Sequence, residues 1–119
     1  MIKKDLIHDQ KWQALLYKLE KVVGKKPTDL KSVLFLIGVQ ELGKGIKEFT
    51  KEEKRDLMHI AICKVLSFSG FYELEGLDEM GWPHWKLKKT LPHFDILEQE
   101  KLLKMHVIDY FETEIDIYK

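Results

Sequence analysis

The sequence predicts a small, mainly helical α+β domain, with four helices and one antiparallel β-hairpin between the third and the fourth. Its 119 residues, 45% of them hydrophobic, suffice for one core and fit a single domain over residues 1–119. In four segments, apolar residues recur with the period of an α-helix. Between about residues 71 and 88 that period changes to alternation, which is typical of paired strands.

The first helix is expected from about Asp9 to Val23. Its apolar residues lie on one side of the helix: Trp12, Leu15, Leu16, Leu19, Val22 and Val23. Gly24 can adopt the left-handed conformation that ends a helix. The second helix is expected to begin at Thr28 as its N-cap and to end at Gly43. Because it is apolar on nearly all sides, we expect it in the centre of the domain.

The third helix has the clearest start signal. Thr50 and Glu53 fit a capping box, in which each side chain binds the backbone amide of the other residue. Gly70 is expected to close this helix. The fourth helix is expected to begin at Asp95, with an alternating segment over residues 112–119 that is either frayed or ordered by a partner.

One register accounts for the hairpin if residues 78–81 form its loop. The predicted pairs are Tyr72–Leu87, Glu73–Lys86, Leu74–Trp85, Glu75–His84 and Leu77–Trp82. Apart from the Leu77–Trp82 pair, this register puts apolar pairs on one face and polar pairs on the other, and a slip of one residue would mix the two faces. Pro83 has no amide proton, so its strand is expected at an edge.

Composition excludes several classes of protein. The longest apolar stretch, residues 33–39, is far shorter than the roughly 20 residues of a membrane span, and the first residues do not predict a secretory signal. Cys63 is the only cysteine, which excludes an internal disulfide and zinc sites built on several thiolates. A single cysteine also favours a reducing, cytoplasmic location.

The charge is balanced overall but uneven along the chain. Lys plus Arg and Asp plus Glu each number 20, and zero net charge disfavours non-specific nucleic-acid binding. Residues 1–55 carry 13 basic and 8 acidic side chains, whereas residues 56–119 carry 7 and 12. If the halves form separate surfaces, the molecule is dipolar and self-association is favoured; if their helices interleave, the charges mix.

Catalytic motifs are missing from the sequence, which predicts no cofactor. There is no phosphate loop, no nucleophile elbow and no H-E-x-x-H motif. Asp56, His59 and Cys63 share one side of the third helix, and His106 with Asp109 lies on the fourth. Such residues could hold a metal ion or activate a thiolate, but they also fit the solvent face of an apolar helix.

The hairpin carries the candidate contact surface. In the predicted register, one face opposite Leu74 and Trp85 carries a mixed apolar and polar set: Trp82, Leu77, His84, Glu75 and Lys86. Since the helices can cover only one face of the ribbon, this face is either exposed for a protein partner or covered by the C-terminal segment. A small-ligand site is a third interpretation.

Three functions follow as hypotheses. The first is a protein-interaction or homo-oligomerising module, such as a homodimer, with no catalytic activity and no membrane contact. The second is a nucleic-acid binder, because three helices followed by a hairpin resemble the winged-helix order, although acidic Asp78 and Glu79 in the loop oppose it. The third is a helical metal or thiol site that uses His59 and Cys63.

Overall fold

The computed structural model describes residues 2–24, 29–45, 47–91 and 96–114. Along the chain its elements are α1 (Ile2–Val23), α2 (Leu30–Leu42), α3 (Lys51–Ser67), β1 (Tyr72–Leu77), β2 (Pro83–Leu87) and α4 (Ile96–Thr113). The described residues therefore form four helices and one antiparallel hairpin, which lies between α3 and α4 in the chain, and this confirms the predicted fold class.

Helix α1 begins at Ile2, well before the predicted start at Asp9. The prediction relied on the apolar side of the helix, which begins only at Trp12, whereas nothing in residues 2–8 breaks a helix. The predicted core residues up to Leu19 are buried, but Val22 is exposed, because the buried side of α1 ends one turn earlier. Gly24 closes α1 in the left-handed region, as predicted, with φ at +85°.

Asp29, rather than the predicted Thr28, caps the N-terminus of α2. Its carboxylate accepts hydrogen bonds from the amide of Ser32 at 2.9 Å and from its hydroxyl at 2.7 Å. The negative charge of a carboxylate is also attracted to the positive N-terminal end of the helix, which explains why Asp29 is the cap. Thr28 lies outside the described residues. At the other end Gly43 closes α2 with φ at +74°, as predicted.

Helices α2 and α3 approach each other most closely at Gly38. A Cβ atom on Gly38 would lie 2.2 Å from the carbonyl oxygen of Leu57, a distance that no real side chain tolerates. Most residues of α2 between Leu30 and Val39 are buried or half-buried, which confirms its central position. The glycine therefore sets how near α2 lies to α3.

The capping box of α3 is present as predicted. The amide of Thr50 donates to Glu53 Oε1 at 2.9 Å, and the amide of Glu53 donates to Thr50 Oγ1 at 3.1 Å. The helix ends at Ser67, and a short turn leads to Gly70, whose φ of +79° reverses the chain toward β1. Local sequence signals therefore mark the start of this helix and the turn that follows it.

The hairpin follows the predicted register only in its first half. Tyr72 pairs with Leu87, Glu73 with Lys86 and Leu74 with Trp85. The observed pairs then shift by one, to Gly76–His84 and Leu77–Pro83. A β-bulge at Glu75 causes the shift, since Gly76 adopts φ of +144°, so the predicted pairs Glu75–His84 and Leu77–Trp82 are wrong.

The main core joins all four helices. Helix α4 contributes Val107, Ile108, Tyr110 and Phe111, which pack with buried residues of α1, α2 and α3. Helix α4 continues through Thr113, so the alternating tail predicted from residue 112 is wrong at residues 112 and 113. The chain stays helical there because residues 110–111 are packed in the core. Residues 115–119 of that tail, and Asp95 at the predicted start of α4, lie outside the described residues.

A second, smaller core lies between the C-terminal half of α2 and the start of α3. Its buried residues are Val39, Leu42, Phe49 and Leu57. The ring of Phe35 meets that of Phe49 edge to face, with the centroids 6.0 Å apart.

The two oppositely charged halves of the sequence interleave. The ammonium of Lys11 on α1 lies 3.9 Å from a carboxylate oxygen of Glu112 on α4. Lys64 on α3 lies 3.9 Å from Glu41 on α2. Each pair joins the first half of the chain to the second, so the charges mix rather than forming two separate surfaces.

Candidate interaction site

The carboxylate of Asp78 fixes the hairpin tip, residues 77–82. Its Oδ1 accepts hydrogen bonds from the amides of Met80 at 2.9 Å and Trp82 at 3.0 Å, and its Oδ2 lies 2.9 Å from Nε2 of His84. These contacts, the one with His84 foremost, hold the pKa of Asp78 below its ordinary value. The aspartate therefore stays ionised and the loop has one defined backbone.

A second contact ties the hairpin tip to α2. The ammonium of Lys44, just beyond the end of α2, donates to the carbonyl oxygen of Met80. The side chains of Leu77 and Met80 nevertheless remain 67% and 70% exposed. The hairpin tip thus combines a fixed backbone with apolar side chains in solvent.

The sequence predicted that Trp82 faces away from the helices, but it does not. It is half-buried and packs against the second core. The prediction failed because it placed Trp82 in a strand paired with Leu77. The bulge at Glu75 moves Trp82 into the loop, where its orientation no longer follows the alternation of the strands.

The other predicted contact residues do not form one surface with Trp82. Leu77 is exposed at the tip, Glu75 is exposed in the bulge and Lys86 is exposed opposite Glu73. His84 is also exposed, but its ring is engaged with Asp78. The structure brings only Trp82 and His84 of this set together, in a cleft between the hairpin and α3.

That cleft has a volume of about 290 Å³. Its polar and aromatic lining consists of two aspartates, two histidines and two tryptophans: Asp56, His59, Asp78, Trp82, His84 and Trp85. Helix α3 supplies the first two of these residues and the hairpin supplies the rest. The sequence pattern had singled out Asp56 and His59, but it gave no reason to place them beside the hairpin.

Trp85 faces α3, as the sequence predicted. Its indole Nε1 is buried and has no hydrogen-bond partner among the described residues. A buried donor without an acceptor costs roughly 1–3 kcal/mol, so the indole is held by packing alone. Tyr72, on the same face of the hairpin, meets the ring of His59 edge to face at 6.5 Å.

The thiol hypothesis for α3 loses its chemical basis. Sγ of Cys63 lies 3.5 Å from Nε2 of His59, so the predicted neighbours do meet. However, Cys63 is fully buried, and burial raises the pKa of its thiol to about 11. A nucleophilic thiolate needs the opposite shift.

The metal candidates do not converge. Nδ1 of His106 lies 2.7 Å from the carbonyl oxygen of Leu102, and its Nε2 lies 2.7 Å from the hydroxyl of Ser69, so both ring nitrogens have partners. Asp109 is exposed on α4. Within the part of the chain that the structure describes, no three histidine, cysteine or acidic side chains are arranged to hold a metal ion.

Glu41 is a carboxylate near the C-terminal end of the mostly apolar helix α2. Its Oε2 accepts a hydrogen bond of 2.7 Å from the hydroxyl of Tyr110, which is fully buried. Burial, followed by this hydrogen bond, raises the pKa of Tyr110 above its ordinary value. Since Lys64 pairs with both Glu41 and Glu114, the group links α2, α3 and the end of α4.

The nucleic-acid alternative depends on α3 and the hairpin tip. The exposed residues at the start of α3 carry both signs: Lys51, Glu52, Lys54, Arg55 and Asp56. Asp78 and Glu79 add negative charge at the tip. Positive charge is not concentrated on this face among the described residues, so this alternative stays an untested prediction.

Sequence reasoning missed three residues of the interaction site. No sequence pattern marks Met80 and Lys44 as neighbours, because only the tertiary fold brings them together. Asp78 did give one: an aspartate at the start of a loop, followed by Gly81, is typical of a turn that the side chain stabilises.

No helix among the described residues is long and apolar enough to cross a membrane. Comparison of the chain with protein-family models, with curated proteins and with solved structures gave no match.

Proposed function

We propose that the chain is a protein-interaction module, without catalytic activity, that associates with a second copy of itself through the hairpin tip. One observation carries this proposal. Leu77 and Met80 are exposed to solvent on a loop whose backbone Asp78 and Lys44 hold in place.

A fixed apolar tip suits binding for a thermodynamic reason. Singly exposed apolar side chains are common on protein surfaces and need no explanation. Here, however, two of them stand on a loop that polar contacts have already ordered. Little conformational entropy is then lost on association, so more of the free energy of apolar burial contributes to affinity.

Backbone pairing at the hairpin edges supports association less well. Strand β1 contains the bulge at Glu75 and a second acidic residue, Glu73, and β2 begins with Pro83. Bulges, charges and prolines are features with which natural edge strands avoid pairing. The exposed side chains of the hairpin tip are therefore a better contact than the strand edges.

The charge of the chain favours a second copy as the partner. Its formal net charge is zero, so two copies meet without net repulsion. The interleaved halves also leave both signs of charge on the surface. A two-fold symmetric contact between two tips could bury Leu77 and Met80 of each copy at its centre, with charged residues around them.

Sedimentation velocity over a concentration series tests the proposal. We expect the wild type to form a dimer, and Leu77→Glu to weaken it by at least about tenfold, because a buried charge opposes the contact. Leu97→Glu is the matched control, since Leu97 is 71% exposed on α4. Neither substitution should change the free energy of unfolding of the monomer by more than about 0.5 kcal/mol.

A wild type that stays monomeric at every concentration would contradict the proposal. So would a Leu77→Glu variant that dimerises as well as the wild type while Leu97→Glu does not.

The single cysteine, Cys63, also supports a reducing, cytoplasmic location, which imaging of a tagged chain in its native cell would test.

A further inference from the structure

We propose that the cleft between α3 and the hairpin binds an organic cation, an alkylammonium or a guanidinium group. This inference goes beyond self-association, because the two exposed apolar side chains of the hairpin tip are not part of the cleft. Leu77 and Met80 do not line the cleft, whereas Asp56, Trp82 and Trp85 do.

Asp56 supplies the negative charge. Its side chain is exposed at the cleft and makes no ion pair or hydrogen bond with a described residue. The nearby carboxylate of Asp78 is already occupied by two backbone amides and His84. Asp56 is therefore the carboxylate that is left to pair with a ligand.

Two tryptophans supply the surface that distinguishes an organic cation from a metal ion. The faces of indole rings attract ammonium and guanidinium groups, and tryptophan is the strongest of the aromatic side chains in this respect. Trp82 and Trp85 both line the cleft.

The cleft lining carries no permanent positive charge: its two histidines are cationic only when protonated, and His84 is engaged with Asp78. Its lining includes neither lysine nor arginine. Lys44, the lysine that contacts the hairpin tip, donates its ammonium to the carbonyl oxygen of Met80. An external cation thus meets a cleft with a free carboxylate and no lysine or arginine competing for it.

The size of the cleft limits the ligand. Its volume of about 290 Å³ lies at the lower end of the range for small-molecule sites. One arginine or lysine side chain, or a free amine of similar size, fits this space. These ligands share a positively charged group attached to a hydrocarbon chain.

The indole N–H signals in a ¹H–¹⁵N correlation spectrum provide the test. The chain has three tryptophans, and Trp12 in the main core is an internal control for the two in the cleft. The probe is N-acetyl-arginine amide, and the matched neutral probe is N-acetyl-citrulline amide, which has nearly the same shape. We expect the arginine probe to shift the Trp82 and Trp85 signals and to leave Trp12 unchanged.

Asp56→Asn gives the second arm. Loss of one partly exposed ion pair should weaken binding of the arginine probe by about fivefold. Equal shifts from the citrulline probe, no shift from either probe, or unchanged affinity in Asp56→Asn would each overturn the proposal.

Two further measurements separate the sources of the cation and the two proposals. Butylguanidinium carries the same charged group without a peptide amide. If it binds as tightly as the arginine probe, the charged group and its alkyl chain are sufficient for recognition, as for a free cation; if it binds more weakly, the peptide amides contribute, as for a side chain of a polypeptide. Leu77→Glu should bind the arginine probe like the wild type, so loss of self-association and loss of cation binding are distinguishable.

Discussion

The helical core and the hairpin tip are stabilised in opposite ways. In the core, apolar side chains such as Leu15 and Val65 are fully buried, and backbone hydrogen bonds within the helices complete the structure. In the hairpin tip, the polar side chain of Asp78 fixes the backbone, while Leu77 and Met80 stay in solvent. The apolar residues of the core thus stabilise the fold, whereas those of the hairpin tip remain available for contact with a partner.

Gly38→Ala is expected to have the largest effect, because it breaks the core. The added Cβ would lie 2.2 Å from the carbonyl oxygen of Leu57, so α2 and α3 must separate. We expect a loss of about 3 kcal/mol in the free energy of unfolding, measured with urea.

Gly43→Ala is the matched control for Gly38→Ala. A Cβ on Gly43 meets no atom within 4 Å, so only its φ of +74° opposes alanine there. This variant should lose about 1 kcal/mol. Equal losses in the two variants would show that the helices do not approach as closely as described.

Tyr110→Phe is expected to cause the second largest loss in the free energy of unfolding. It removes the hydroxyl that donates to Glu41 and leaves a half-buried carboxylate with one partner fewer. We expect a loss of about 2 kcal/mol, since hydrogen bonds to charged groups are stronger than neutral ones. Tyr72→Phe, in the hairpin, should lose less than about 0.5 kcal/mol. A comparable loss in both variants would remove the difference between core and hairpin.

The smallest effect is the local response of the hairpin tip to acid. The pKa of Asp78 lies below its ordinary value of 3.8, first because of the hydrogen bond with His84 and then because of the backbone amides. A lowered pKa means that the folded tip favours the carboxylate, so this stabilisation is present above pH 3.8 and is lost as the pH falls through the lower value.

Amide chemical shifts of Met80 and Trp82 measure this response. We expect a midpoint below pH 3.8 in the wild type and no corresponding titration in Asp78→Asn. A midpoint at or above 3.8 would mean that Asp78 does not hold the tip as described.

The sequence predicted elements whose signals are local. The capping box at Thr50 and the closing glycines of α1 and α2 depend on a few neighbouring residues, and all were confirmed. The first three hairpin pairs were also correct, because alternation and opposite charges determine them. The start of α1 was missed because those residues have no cap signal and no continuous apolar side.

The site was harder to predict because it depends on tertiary contacts. A single bulged residue, Glu75, changes the pairing beyond it, and the alternation of polar and apolar residues does not reveal a bulge. Trp82 then packs on a second core that the sequence did not separate from the first. The contact of Lys44 with Met80 joins residues far apart in the chain, for which no pattern exists.

A dilution series followed by ¹H–¹⁵N correlation spectra tests the central claim most directly. Over about a hundredfold range of protein concentration, we predict shift changes confined to the hairpin, largest at Leu77 and Met80, with the signals of buried core residues such as Val65 unchanged. Spectra that do not depend on concentration, or changes centred on the exposed residues Val22 and Leu97, would contradict the assignment of the hairpin tip as the contact surface.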